Sequence, residues 1–257
     1  MNNRPTRIIL SCEYGSRHVP LDYEEFFRET DAALQSHGSW DIGADEMARR
    51  LAEATGAWLQ SGRVTRLLVD YNRRGNDPDL WSEFTRELPR VSKNHIRRVY
   101  HHPYRMALHR RIRRLIDEGA DVLHIRIRTF TPAFAGKRRK CDVGVCFDPS
   151  FDRAQEAGEV LHAWLSFAQS DLSIQTNSPG ELMESGIEEW LRENCPADRY
   201  AGIVIAFNQD LYARRRQTWR DLQEAVGFYL DVIAGDDTVN KPLDRRNRLD
   251  DDLLASR

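Results

Sequence analysis

The sequence has almost no excess charge. Lys and Arg number 38 against 40 Asp and Glu, giving a formal net charge of −2. That balance offers no electrostatic reason to expect a nucleic acid or a membrane surface as partner. No apolar run is long enough to span a bilayer, and Met1-Asn2-Asn3-Arg4-Pro5 leads into a strand-like segment without an apolar signal region. The expected location is therefore cytoplasmic. The four cysteines, Cys12, Cys141, Cys146 and Cys195, lack CxxC spacing. Reduced, buried thiols are expected, not a structural zinc site. There is no internal repeat.

The chain has 257 residues, 40% hydrophobic and 30% charged. That suits one globular domain, expected over residues 1–234, with a charged and mobile tail over 235–257. Arginine is locally dense at Arg97-Arg98, Arg110–Arg114 and Arg214–Arg216, and Lys137–Lys140 adds a further basic run. These runs read as solvated faces.

Apolar runs alternate with helical patterns. Ile8-Ile9-Leu10, Leu67-Leu68-Val69, Val143–Phe147, Leu172–Gln175 and Ile203-Val204-Ile205 read as strands. Ala44, Met47, Ala48, Leu51 and Ala52 share a helix face that Gly56 closes. Pro103 is placed to open a helix, with Leu108, Ile112, Leu115 and Ile116 on one side and Gly119 at its end. Residues 152–168 and 181–193 read as helices, as does a long stretch from Leu211 to Ile233. Asp121 to Arg128 alternates strictly: Val122, His124, Arg126 and Arg128 face one way, and Leu123, Ile125 and Ile127 the other. The implied class is α/β, a mostly parallel or mixed central sheet with helices on both faces. Ligands in such sheets bind beyond the carboxyl ends of the strands. Glu13-Tyr14, Asp70-Asn72-Arg73, Arg128 and Asn208-Gln209 are then the residues to watch. Residues 75–95 suggest a long loop or lid carrying Trp81 and Phe84.

A series of motifs points further. Ser11-Cys12-Glu13-Tyr14-Gly15-Ser16-Arg17-His18-Val19-Pro20 resembles S-C-E-H-G-G-N-x-V-P. Ser36-His37-Gly38-Ser39-Trp40-Asp41-Ile42-Gly43-Ala44 resembles S-H-x-x-W-D-x-G-A. Arg66–Arg73 resembles R-L-L-V-D-x-N-R, and Pro103-Tyr104-Arg105 resembles P-Y-R. His124–Pro132 resembles H-x-S-x-H-S-F-T-P. Asp142–Pro149 resembles D-I-G-x-x-x-D-P, and Gly202–Gln209 resembles G-x-x-x-E-x-N-Q. Together, in this order, the chain resembles the N-formylglutamate amidohydrolase family.

The resemblance implies a phosphorylase/hydrolase-like α/β fold. It also implies one metal held by His and acidic ligands, and hydrolysis of an N-acyl amide such as N-formylglutamate. An open zinc position would activate water while a nearby Glu moves the proton. At the positions that carry this chemistry the chain departs from the pattern. Tyr14 and Arg128 stand where the motifs have His, and Ala206 stands where they have Glu; Asp41 keeps the acidic position. A neutral phenol is a poor zinc ligand, Arg has no lone pair to give, and Ala moves no proton.

The expectation is a family-like protein without the zinc-dependent reaction and with no cofactor. An arginine-rich cleft of Arg66, Asn72, Arg73, Arg105, Arg128 and Asn208 would take a small acidic metabolite through carboxylate or phosphate contacts. Arg128 is expected to face Asp41 with Tyr14 hydrogen-bonded between them. The rival enzyme reading is a rebuilt zinc site using Glu13, Asp41, His18, His37 or His124. His124 lies four residues before Arg128, about 13 Å along a strand, too far to replace the missing His in place. A further class is a protein partner or homo-oligomer anchored by Trp58, Trp81, Trp164, Trp190 or Trp219.

Overall fold

The computed structural model describes residues 4–28, 31–36, 38–182 and 186–235. His37 and the charged tail from residue 236 onward lie outside the described residues. The strands are β1 (Thr6–Cys12), β2 (Trp58–Ser61), β3 (Asp121–Phe130), β4 (Ala133–Phe134), β5 (Lys137–Arg138), β6 (Val143–Cys146), β7 (Ile174–Thr176) and β8 (Tyr200–Asn208). The α-helices are α1 (Asp31–Gln35), α2 (Ala44–Thr55), α3 (Arg90–Ile96), α4 (His102–Asp117), α5 (Asp152–Ala168), α6 (Gly186–Asn194), α7 (Gln209–Arg214) and α8 (Arg216–Ala234).

Six strands form the main sheet in the order β2-β1-β3-β8-β6-β7. The β2, β1, β3 and β8 pairings are parallel; β6 joins β8 antiparallel, and β7 runs parallel to β6. β4 and β5 make a separate small hairpin. The fold is thus the mixed α/β arrangement that the alternating pattern implies.

Side-chain alternation sorts the two faces. Leu123, Ile125 and Ile127 enter one core with Ile8, Leu10, Ile203, Ile205 and residues of α2, α5 and α8. Ile9, Val122 and Tyr200 enter a second core with α4 and α6. On that second side, β3 also carries His124, Arg126 and Arg128, all buried. Each fully buried aliphatic side chain contributes about 1.5–3 kcal/mol, so two full cores can carry some buried charge.

Several sequence expectations need correction. Leu67-Leu68-Val69 is not a strand but a turn, with Leu68 N–H bonded to Thr65 O. Its apolar side chains pack into the second core without strand pairing. The helix expected from Leu211 to Ile233 breaks at Arg215 (φ −122°, ψ 57°), separating α7 from α8. Pro103 stands in the first turn of α4 as expected, but the chain is already helical from Arg90 and enters α4 through a π turn at Arg97–His101. The strand expected at Leu172–Gln175 is β7, shifted to Ile174–Thr176. The helix expected at 181–193 is described as α-helix from Gly186 and runs on to Asn194, after a 3-10 turn at Gly180–Leu182. Within 75–95, Leu80 is buried, Trp81 and Phe84 pack on the second core, and Arg90 onward is already α3.

Candidate functional site

The carboxyl ends of β1 and β3 bring together the residues singled out from the motifs. Tyr14 lies two residues past the end of β1, in a turn, and is buried. Its ring lies between two guanidiniums: the Arg66 Cζ is 4.2 Å and the Arg128 Cζ 4.3 Å from the ring centroid. The electron-rich faces of a phenol attract cations in this way. The Tyr14 hydroxyl donates to Asp70 Oδ1 at 2.5 Å. Burial first, and the Asp70 carboxylate next, push the phenol well above its ordinary pKa, so it stays neutral.

Arg128 Nε donates to Asp41 Oδ2 at 2.5 Å, and the same oxygen accepts from the Thr129 backbone N–H at 3.1 Å. Burial opposes the Arg128 charge, but Asp41 and the Tyr14 oxygen outweigh it and hold its pKa above the ordinary value. Arg128 therefore faces Asp41 as expected. Tyr14 does not bridge the pair: its hydroxyl goes to Asp70, and only its backbone oxygen accepts from the Asp41 N–H, at 2.8 Å. Arg66 pairs with Asp70 Oδ2 at 3.1 Å.

A second ion pair lies deeper on the same sheet face. Arg126 Nε donates to Glu13 Oε1 at 3.0 Å, and its Nη2 donates to Asn72 Oδ1 at 3.0 Å. Burial alone would raise the Glu13 pKa; Arg126 and Arg128 overcome it and hold the carboxyl at about 2. Ser11 Oγ lies 3.1 Å from Glu13 Oε1 and 2.8 Å from His124 Nε2. His124 Nδ1 meets the Tyr200 hydroxyl at 2.8 Å, which donates to Glu188 Oε2 at 2.9 Å. Burial, then Arg126, pushes His124 down to about 3, so the imidazole is neutral. The Ser11–His124 contact resembles a nucleophile and base, but both residues are 0% exposed.

The remaining expected binding residues are spread out. Arg105 is buried, donates to the carbonyls of Tyr71, Arg73 and Gly186, and lies over the Trp190 ring. Asn208 caps α7 and donates to Cys141 O. Arg73 is half-buried beside Asp77, at 3.7 Å. Ala206 is buried and pairs in register with Arg128. His18 is exposed on the loop after Tyr14, away from His124 on β3. Among the described residues, no three His, Cys, Asp or Glu side chains are grouped so as to hold a metal ion.

A family model described as N-formylglutamate amidohydrolase matches residues 6–213. The chain belongs to this family. A solved structure of a gene product from Agrobacterium tumefaciens is similar, with TM-score 0.71 and 25% identity over 89% of this chain and 88% of that one. The structure of an N-formylglutamate amidohydrolase from Ralstonia eutropha JMP134 shares the fold at TM-score 0.65 and 15% identity, over 89% of this chain and 93% of that one. Among curated proteins none matches.

Against the family motifs, Arg126 is the residue that sequence reading passed over. It stands where H-x-S-x-H has Ser, and a long cation there was as visible a departure as Arg128. Its partner Glu13 lies on another strand-end, which spacing along the chain does not reveal. Among the described residues, no helix is long and apolar enough to cross a membrane.

Proposed function

We propose that this N-formylglutamate amidohydrolase family member does not run the family's zinc-dependent deformylation, and that an ion-pair cluster has taken over the metal position. The observation that carries this reading is Arg128 on Asp41. The motif resemblance assigns the metal donors to the positions of Tyr14, Asp41 and Arg128, and these three do not fit a divalent cation. The Asp41 oxygen at this point already accepts from Arg128 and Thr129. The Tyr14 hydroxyl keeps its proton and donates its hydrogen bond to Asp70. A permanently charged guanidinium stands where the third donor would be, and it repels a second cation. Ala206 supplies no proton carrier.

The charges inside the cluster balance pairwise: Arg128 with Asp41, Arg66 with Asp70, Arg126 with Glu13. Of the arginines expected to bind an acidic metabolite, Arg66 and Arg73 keep side-chain exposure, 31% and 35%. An acidic ligand at this cluster would meet Arg66, and a partly exposed guanidinium can hold a carboxylate while keeping its internal partner.

The test is metal content of the purified protein by mass spectrometry, followed by formate release from N-formylglutamate with and without chelator. The expected result is well below about one zinc per chain and no chelator-sensitive release. One zinc per chain with chelator-sensitive formate release would overturn the reading.

A further inference from the structure

A groove of about 710 Å³ opens beside the cluster, lined among others by Arg17, His18, Phe27, Arg28, Leu34 and Trp40. It adjoins the cluster through the chain itself: Gly15 follows Tyr14, and Trp40 precedes Asp41. Phe27 and Val19 are buried in its floor, and Leu34 and Trp40 are half-buried in its wall. The cations at the rim are Arg17 and Arg28, both exposed, with Glu24 the acid that lines the same space.

Two observations set this groove apart from the cluster. First, the guanidiniums of Arg126, Arg128 and Arg66 are each held by a carboxylate, whereas no described carboxylate pairs with Arg17 or Arg28. The Arg17 Cζ instead sits 5.6 Å from the Trp40 ring centroid, a stacking that leaves the N–H edge available. Second, the Trp40 Nε1–H is buried and has no acceptor among the described residues. A buried N–H without an acceptor is unfavourable, and a bound oxygen would satisfy it. Arg17 also stands where the S-C-E-H-G-G-N motif has Asn, so its charge is a particular of this chain.

We propose that this groove binds a small carboxylate with an apolar body. The carboxylate is held by Arg17 and Arg28 and accepts from Trp40 Nε1, while the body lies on Phe27, Leu34 and Val19. Concave sites with an apolar lining and a few polar groups are the usual form of a small-molecule site. The proposal stands whether or not the neighbouring cluster binds metal.

Isothermal titration calorimetry of the full chain tests it, with 3-phenylpropanoate as probe, 3-phenylpropanamide as its neutral counterpart, and inorganic phosphate. The expected result is saturable binding of the carboxylate, about tenfold tighter than the amide, and weakened about tenfold by Arg17→Ala and measurably by Trp40→Phe. Arg17 is exposed, so its variant folds; circular dichroism verifies that for both. No heat with 3-phenylpropanoate up to about 10 mM overturns the proposal. Phosphate binding as tight as the carboxylate overturns the apolar-body part. Binding lost on Arg66→Ala but not on Arg17→Ala overturns the groove and places the acidic ligand at the cluster opening instead.

Discussion

Arg128 Nε stands 2.5 Å from Asp41 Oδ2, and both side chains are all but excluded from solvent at 8% and 5% exposure. A charge in such a place persists only if its partner is close and its other hydrogen-bonding atoms are satisfied. The Thr129 N–H and the Tyr14 ring help meet that condition. The pair therefore ties the end of β3 to the loop that precedes α2, and Tyr14 and Asp70 extend the tie toward Arg66.

Removing one member of this pair should be costly. Arg128→Leu leaves Asp41 buried against a neutral neighbour and is expected to lower unfolding free energy by about 3–5 kcal/mol. Arg128→Leu with Asp41→Leu should lose less than Arg128→Leu alone, because no charge is left unpaired. Urea unfolding of the two variants measures it; a double variant worse than the single would contradict the ion-pair account.

How much of this could be read in advance depends on what each residue answers to. The alternation of β3 was legible because apolar and polar side chains take turns from Leu123 to Arg128, within Asp121–Phe130. Residues 152–168 were legible because one apolar stripe repeats without interruption, and α5 has those bounds. Leu67-Leu68-Val69 misled because burial alone does not make a strand; without a neighbouring backbone to pair with, the same apolar residues pack from a turn. β2 was missed because Trp58–Ser61 is short, half-buried and mixed in character. The Arg128–Asp41 contact followed from the motifs. The destination of the Tyr14 hydroxyl did not, since Asp70 reaches it from a turn 56 residues away.

Acid should destabilise the protein through two buried imidazoles. The folded pKa of His124 is lowered from 6.5 to about 3 and that of His101 to about 4, burial being the main cause in each. Between those values and 6.5 the unfolded chain takes up protons that the folded chain does not. Stability therefore falls as pH falls through that window, by up to about 1.4 kcal/mol per pH unit for each group. Glu13, depressed to about 2 from 4.5, adds a further loss only below pH 4.5. Urea unfolding at pH 7, 6 and 5 should give a steady decline, shallower for His101→Gln. A flat profile would mean that these imidazoles take up protons in the folded protein as readily as in the unfolded chain.

Gly202 should not tolerate a side chain. A Cβ built there would lie 1.9 Å from Glu188 Oε1. The Glu188 carboxyl, with its pKa raised chiefly by burial, is held by Tyr200 against that bare stretch of β8. Gly202→Ala is expected to cost about 1–3 kcal/mol, read as a lowered Tm. The same substitution at Gly75, which has open space around it, provides the comparison and should change little.

The most demanding prediction is to run the replacements backwards. Tyr14→His and Arg128→His return two imidazoles to the positions flanking Asp41, and Ala206→Glu returns a carboxyl beside them, since Ala206 and Arg128 are register partners on β8 and β3. With Arg128 gone, Asp41 loses its internal cation and is free to meet a metal, and the space that held the guanidinium becomes available to the new side chains. The triple variant is expected to bind about one zinc per chain, releasable by chelator, where the parent binds well under that. Without Arg128→His the other two changes should not suffice, because the guanidinium would still occupy Asp41 and repel the ion. A Tyr14→His, Ala206→Glu variant that takes up zinc as well as the triple would mean that Arg128 is not what keeps a metal out.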